Sequence, residues 1–175
     1  MNTKEKIQFI AFQTFLNKGF ENTTMSNLVK KSGISKGAFY HYFSNKKALY
    51  NAVIDYYFLV YFKNINWDDF ENKSFIEIEY TIKTFYIKFI KEINSLSKSG
   101  LSNYYIMFFE ACKHHPDFSE TIQEFYRRLE KEIDRALKRE KINKKAMNII
   151  AKYEGILFWM SIFPKEKIEN LINAL

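Results

Sequence analysis

Between Thr24 and Tyr50 the chain runs TMSNLVKKSGISKGAFYHYFSNKKALY, two short helical patterns split by a glycine turn, and few packings accommodate that spacing. In the first pattern Met25, Leu28, Val29 and Ser32 recur at i, i+3, i+4 and i+7, which marks one buried face. Thr24 is placed to cap it, because a hydroxyl there accepts a hydrogen bond from an otherwise orphaned backbone N–H. Gly33 ends it, since glycine takes the left-handed backbone conformation at little cost. Ile34 is expected to plug between the two helices. Ser35 caps the second helix, in which Phe39 and Phe43 share an inward stripe while Lys36, Gly37, Tyr40 and His41 lie on the other side.

A helix–turn–helix of this kind sets its second helix in the DNA major groove, with flanking groups on phosphates. Gly37 and Ala38 suit that role because small residues let the helix backbone approach the bases. The expected contacts are Thr24, Ser35, Lys36, Gly37, Ala38, Tyr40, His41 and Tyr42, together with Lys46. Lys46 opens a fourth helical pattern through Leu49, Ala52, Val53 and Tyr56, where an ammonium and free helix-start N–H groups would clamp a phosphate.

These residues resemble the TetR family of bacterial transcriptional regulators. The resemblance rests on Gly19-Phe20, Thr23-Thr24, Gly33-Ile34-Ser35-Lys36-Gly37, Phe39-Tyr40-His41-Tyr42-Phe43, and Lys46 with Ala48-Leu49. It covers about the first fifty residues and no motif carries it further. It implies an all-α fold, with a three-helix head over residues 1–47 and a larger helical bundle over 48–175 for ligand binding and dimerisation.

Charge divides the chain in the same place. Residues 1–50 hold eight lysines against Glu5 and Glu21, a net of +6 in a chain of +7, which leaves about one positive charge for the rest. A basic segment on a nearly neutral one is the footprint of a DNA-binding head on a body with another task. The composition, 47% hydrophobic with two Pro and five Gly, excludes disorder and favours helices over strands. The longest apolar run, Tyr56 to Phe62, is far below the roughly 18 residues of a membrane span. With a single Cys, no signal peptide and no membrane segment, a cytoplasmic location is expected.

Helical periodicity extends through the body. Helices are expected from Lys4 to Asn17, Ser74 to Ser95, Ser102 to His114, and Asp117 to Lys141, the last opened by an Asp117–Glu120 capping box. Asn143 is expected to cap the next helix and Pro164 to start a short final one. The body is rich in large rings, and in a family-like body some would line a cavity for an apolar or aromatic effector. Phe85, Phe89, Tyr104, Tyr105 and Phe108 are the expected walls, because the long middle helix and its successor must face each other. One head offers few base contacts, so a homodimer is expected. Its interface is placed at Ile149, Gly155, Ile156, Met160 and Phe163.

Cys112, His114 and His115 do not read as a metal site, since adjacent residues point about 100° apart on a helix and no second ligand cluster exists. No GxGxxG, P-loop, HExxH or GxSxG occurs, and the carboxylates Glu77, Glu79, Glu110 and Glu154 carry no assignment. Neither catalytic residues nor a cofactor is therefore expected. The leading expectation is a dimeric repressor of double-stranded, palindromic DNA released by a small-molecule effector. The alternatives are an architectural or protein-partnered DNA binder without a ligand, and a helical module whose head no longer reads DNA.

Overall fold

The structure, a computed structural model, describes residues 1–173, and among these every regular element is helical. Helix α1 (Thr3–Lys18) begins at a reciprocal cap: Asn2 Oδ1 accepts from the Glu5 N–H at 2.9 Å, and the Glu5 carboxylate accepts from the Asn2 N–H at 2.9 Å. Its inner face of Ile7, Ala11, Phe12 and Phe15 is fully buried. Helices α2 (Met25–Ser32) and α3 (Lys36–Tyr42) follow across the glycine turn, and α4 (Lys46–Ile54) opens at Asn45, whose side chain accepts from the Ala48 N–H at 2.8 Å.

Helix α4 does not end cleanly. It passes into a π-helical turn, Asp55–Leu59, and resumes as α5 (Val60–Lys63), so one rod runs from residue 46 to 63. A π turn inserts an extra residue into the helix. Regular continuation of the Leu49 and Val53 stripe would bury Tyr56 and Val60; instead Phe58 and Leu59 are buried and Tyr56 is 54% exposed. Tyr56 thus leaves the inward face on which its spacing placed it.

After a short α6 (Asp68–Glu71) come the four long helices of the body: α7 (Phe75–Leu96), α8 (Leu101–His114), α9 (Phe118–Arg139) and α10 (Ala146–Ile162), with α11 (Ile168–Asn173) behind them. Ser74 and Glu77 form a capping box at the start of α7. One expected cap bond is absent and two expected helix starts move. Asp117 precedes α9 with φ −104° and ψ 5°, away from the extended geometry of a side-chain cap, and makes no such bond. Lys141 adopts φ 55° at the end of α9, and the Ile142 N–H turns back to the Leu137 carbonyl at 2.9 Å. That turn displaces Asn143 from the cap position, and α10 starts at Ala146 after Lys145. Pro164 lies in a turn, and α11 begins only at Ile168.

One core runs through head and body. Phe12 meets Phe58 edge-on at 6.5 Å, Phe58 stacks on Tyr104 at 5.1 Å, and Tyr104 meets Phe89 at 5.0 Å, a line of rings from α1 to α7. The expected division at residue 47 falls at the start of α4, whose buried side serves both halves. Phe58 sits at the crossing, so Phe58→Ala should cost about 3–5 kcal/mol. Urea unfolding followed by circular dichroism for the whole chain and by Trp67 and Trp159 fluorescence for the body should show one coincident transition, shifted to lower denaturant.

Candidate DNA-binding head and body cavity

Helix α3, the second of the helix–turn–helix, is pinned from below and open above. Thr24 Oγ1 accepts from the Asn27 N–H at 3.2 Å, Gly33 takes φ 65°, and Ser35 Oγ accepts from the Ala38 N–H at 3.3 Å. Phe39 and Phe43 are buried, which fixes the rotation of α3 about its own axis. Lys36, Gly37, Ala38, Tyr40, His41 and Tyr42 are then all exposed along its outer side, with Thr24 and Ser35 exposed beside them. A side chain at Gly37 would meet no protein atom within 4 Å, so internal packing does not require glycine there.

Lys46 stands apart from that surface. Its ammonium donates to the Phe20 carbonyl at 2.8 Å and lies 4.1 Å from the centre of the Phe20 ring. The same peptide segment is held from the body: the Phe20 N–H donates to both carboxylate oxygens of Glu110 on α8, at 3.1 and 2.9 Å. His114, one turn further along α8, lies against the Phe20 ring at 4.6 Å and 3.5 Å from Glu21. Tyr50 on α4 donates its hydroxyl to the Met107 carbonyl of α8 at 3.3 Å. Burial, then the negative charge of Glu110, push the Tyr50 pKa up, so this phenol stays a neutral donor. The turn after α1 is therefore a junction between head and body. Gly19 belongs to it, because a Cβ there would come within 2.9 Å of Glu110 Oε1 at a backbone φ of 78°. Sequence reading passed over Glu110, since nothing in its neighbourhood marks a contact ninety residues away.

A cavity of about 460 Å³ opens inside the body. All five expected wall residues, Phe85, Phe89, Tyr104, Tyr105 and Phe108, line it, joined by Phe62, Phe70, Tyr86, Phe125, Tyr126 and Leu157. The volume is that of a small-molecule site. Helix α10 contributes Glu154, whose Oε1 accepts from the Tyr126 hydroxyl at 2.5 Å and from the Tyr86 hydroxyl. Burial first, and the Glu154 carboxylate second, raise the pKa of Tyr86, Tyr104, Tyr105 and Tyr126, which remain neutral phenols.

The expected dimer residues separate. Ile149, Ile156 and Met160 are buried in the protomer's own core. Helix α10 packs against α7, α8 and α9 of its own protomer. Gly155 and Phe163 are exposed, and the outer face of α10 presents Met147, Phe158, Trp159 and Ile162. Phe158 touches Tyr105, which stacks on Phe109 of α8, so the apolar surface continues across two helices. Cys112 is exposed, and His115 is buried 3.5 Å from Asp55; among the described residues no His, Cys, Asp or Glu cluster is arranged to hold a metal. No described helix is long and apolar enough to cross a membrane.

Residues 10–53, which carry this head, match the family described as "Bacterial regulatory proteins, tetR family". The match to that family is confined to the head, about a quarter of the chain. Among curated relatives, the HTH-type transcriptional regulator YuxN of Bacillus subtilis is 41% identical over 59 residues, 33% of this chain and 20% of that protein. QacR of Staphylococcus aureus, an HTH-type transcriptional regulator, is 29% identical over 87 residues, 50% of this chain and 43% of that one. The matched segments thus span well under two thirds of these relatives. Over the whole fold, a transcriptional regulator (TerR/AcrR family) of Aquifex aeolicus superposes with a TM-score of 0.66 at 20% identity, covering 99% of this chain and 95% of that one. Escherichia coli NemR in its reduced form gives 0.64 at 20% identity, covering 99% and 94%. The TetR-like architecture therefore extends beyond the matched head.

Removing the Glu110 carboxylate strands the Phe20 N–H in a half-buried turn. Glu110→Ala should cost about 1–3 kcal/mol in urea unfolding, and Gly19→Ala should be destabilised in the same direction by strain and by displacement of Glu110.

Proposed function

We propose that this protein is a DNA-binding transcriptional regulator, a repressor that grips a palindromic operator as a homodimer and lets go when a small apolar or aromatic effector fills the body cavity. The observation that carries the reading is the outer face of α3, polar, aromatic and basic, exposed above the buried anchors Phe39 and Phe43. The +6 charge of the first fifty residues supplies the field that draws such a face to phosphates. In this reading Lys36, Tyr40, His41 and Tyr42 meet the duplex, Gly37 and Ala38 allow close approach, and Thr24 and Ser35 reach phosphates at the rim. Lys46 reaches a phosphate only by leaving the Phe20 carbonyl, so the exposed Lys47 beside it is the readier contact.

Cavity and head are joined by α8, which carries Tyr104, Tyr105 and Phe108 on the cavity and Glu110 and His114 at the head junction. The rod of α4 and α5 runs alongside, from Lys46 to Phe62 at the cavity wall. A ligand that displaces α8 moves Phe20 and with it the head. It changes operator affinity only by its differential affinity for the two arrangements, typically about 1–3 kcal/mol or 5- to 150-fold. The cavity favours this reading over a ligand-free architectural role. The partner surface is assigned to the exposed face of α10, with Phe158, Trp159, Ile162 and Phe163 at its centre.

Two measurements test the proposal. Binding to the protein's own promoter region should weaken with salt, and Lys36→Ala should reduce the slope of log K against log salt by about 0.9, while His41→Ala should alter sequence preference. Absence of salt-sensitive duplex binding would sink the regulator reading. Light scattering should report a dimer at micromolar concentration and a monomer for Ile162→Glu; a wild-type monomer would refute the assembly.

A further inference from the structure

We infer that the body cavity is built for a cation: a ligand with an aromatic or apolar frame whose positive group pairs with Glu154. The inference rests on the reading of the cavity as an effector site and narrows its chemistry.

Most of the lining is apolar, and the exceptions decide what enters. The charged lining residues are Asp69, Lys73 and Glu154. Lys73 lies beside the α6–α7 turn, its ammonium 5.1 Å from the Phe70 ring, and its charge acts on Glu77 at the start of α7. Glu154 comes from the opposite wall, mid-way along α10. Both phenol donors, Tyr86 and Tyr126, converge on its Oε1; Oε2 accepts no hydrogen bond from the described residues. Nor does Glu154 form an ion pair with any described residue, whereas its neighbour Lys152 is turned to Glu79 at 3.8 Å. An anionic oxygen thus stands in an aromatic chamber with half its hydrogen-bonding capacity unused.

Ligand classes fare differently against that carboxylate. A neutral apolar molecule that fills the chamber strips water from Oε2 and returns nothing, so its binding is penalised by the desolvated charge. An anion adds repulsion to that loss. A cation restores a counter-charge, and its remaining surface meets the negative faces of rings, the arrangement that favours ammonium groups beside Tyr and Phe. Tyr86, Tyr104, Tyr105 and Tyr126 all sense the Glu154 charge and all line the cavity, so rings and carboxylate address the same volume.

The test uses three naphthalene probes of one shape on the full chain: (1-naphthylmethyl)trimethylammonium, the neutral neopentyl isostere with carbon in place of nitrogen, and 1-naphthylacetate. Calorimetric titration should rank the cation about tenfold or more tighter than the neutral isostere, with the anion weakest. Glu154→Gln should erase the preference from both sides, weakening the cation and strengthening the neutral isostere, which no longer desolvates a charge. Glu154→Asp, which keeps the charge, should retain it. Thermal melts of each variant establish that it is folded. Equal binding of cation and neutral isostere, or a preference that survives in Glu154→Gln, overturns the cation assignment while leaving the cavity a ligand site. Failure of all three probes to bind overturns the assignment together with the effector reading.

Discussion

The Phe20 peptide is the point on which the two halves of this molecule depend. Its N–H is gripped by Glu110 of the body and its carbonyl by Lys46 of α4, so a carboxylate and an ammonium are held on either side of one residue. Charge-assisted hydrogen bonds are about twice as strong as neutral ones, and here they act where α1 has just ended and the chain turns toward α2. Rings of Phe15, Tyr50 and His114 close around the same side chain. The contact is polar at its backbone and aromatic at its side chain, a combination that fixes both the position and the tilt of the turn.

The cavity and the junction lie on one helix, and that fact governs how the fold can work. Helix α8 has fourteen residues, about four turns, and its cavity-lining rings stand within two turns of Glu110. A helix of that length transmits displacement as a rigid body. In the proposed reading, no relay of small side-chain shifts is needed between an occupied chamber and the head.

Much of this was legible in the residues because local rules decide it. The caps at Thr24 and Ser35, the left-handed Gly33 and the buried pair Phe39 and Phe43 all follow from neighbours within four positions. The cavity walls were legible for a related reason: apolar periodicity on two successive helices forces their faces together. What escaped were long-range choices. Ile149, Ile156 and Met160 form a good apolar stripe, but sequence does not say whether such a stripe meets its own chain or another, and the protomer's own core buries it. Glu110 and Glu154 look like any surface carboxylate until the fold brings a backbone N–H to one and two phenols to the other. The Asp117 cap failed on a backbone angle, which composition does not encode.

The π turn at Asp55–Leu59 carries one residue more than a regular helix uses. On its head side Leu49 and Val53 are buried, and on its body side Phe58 and Leu59. Deletion of a residue is ordinarily the harshest change a helix can suffer, because everything beyond it rotates by about 100°. In this rod loss of the exposed Tyr56 would let the backbone relax to α-helical winding with both buried faces still in phase. The rod is therefore tolerant of shortening at one place along its length, and that place lies between the part that belongs to the head and the part that borders the cavity.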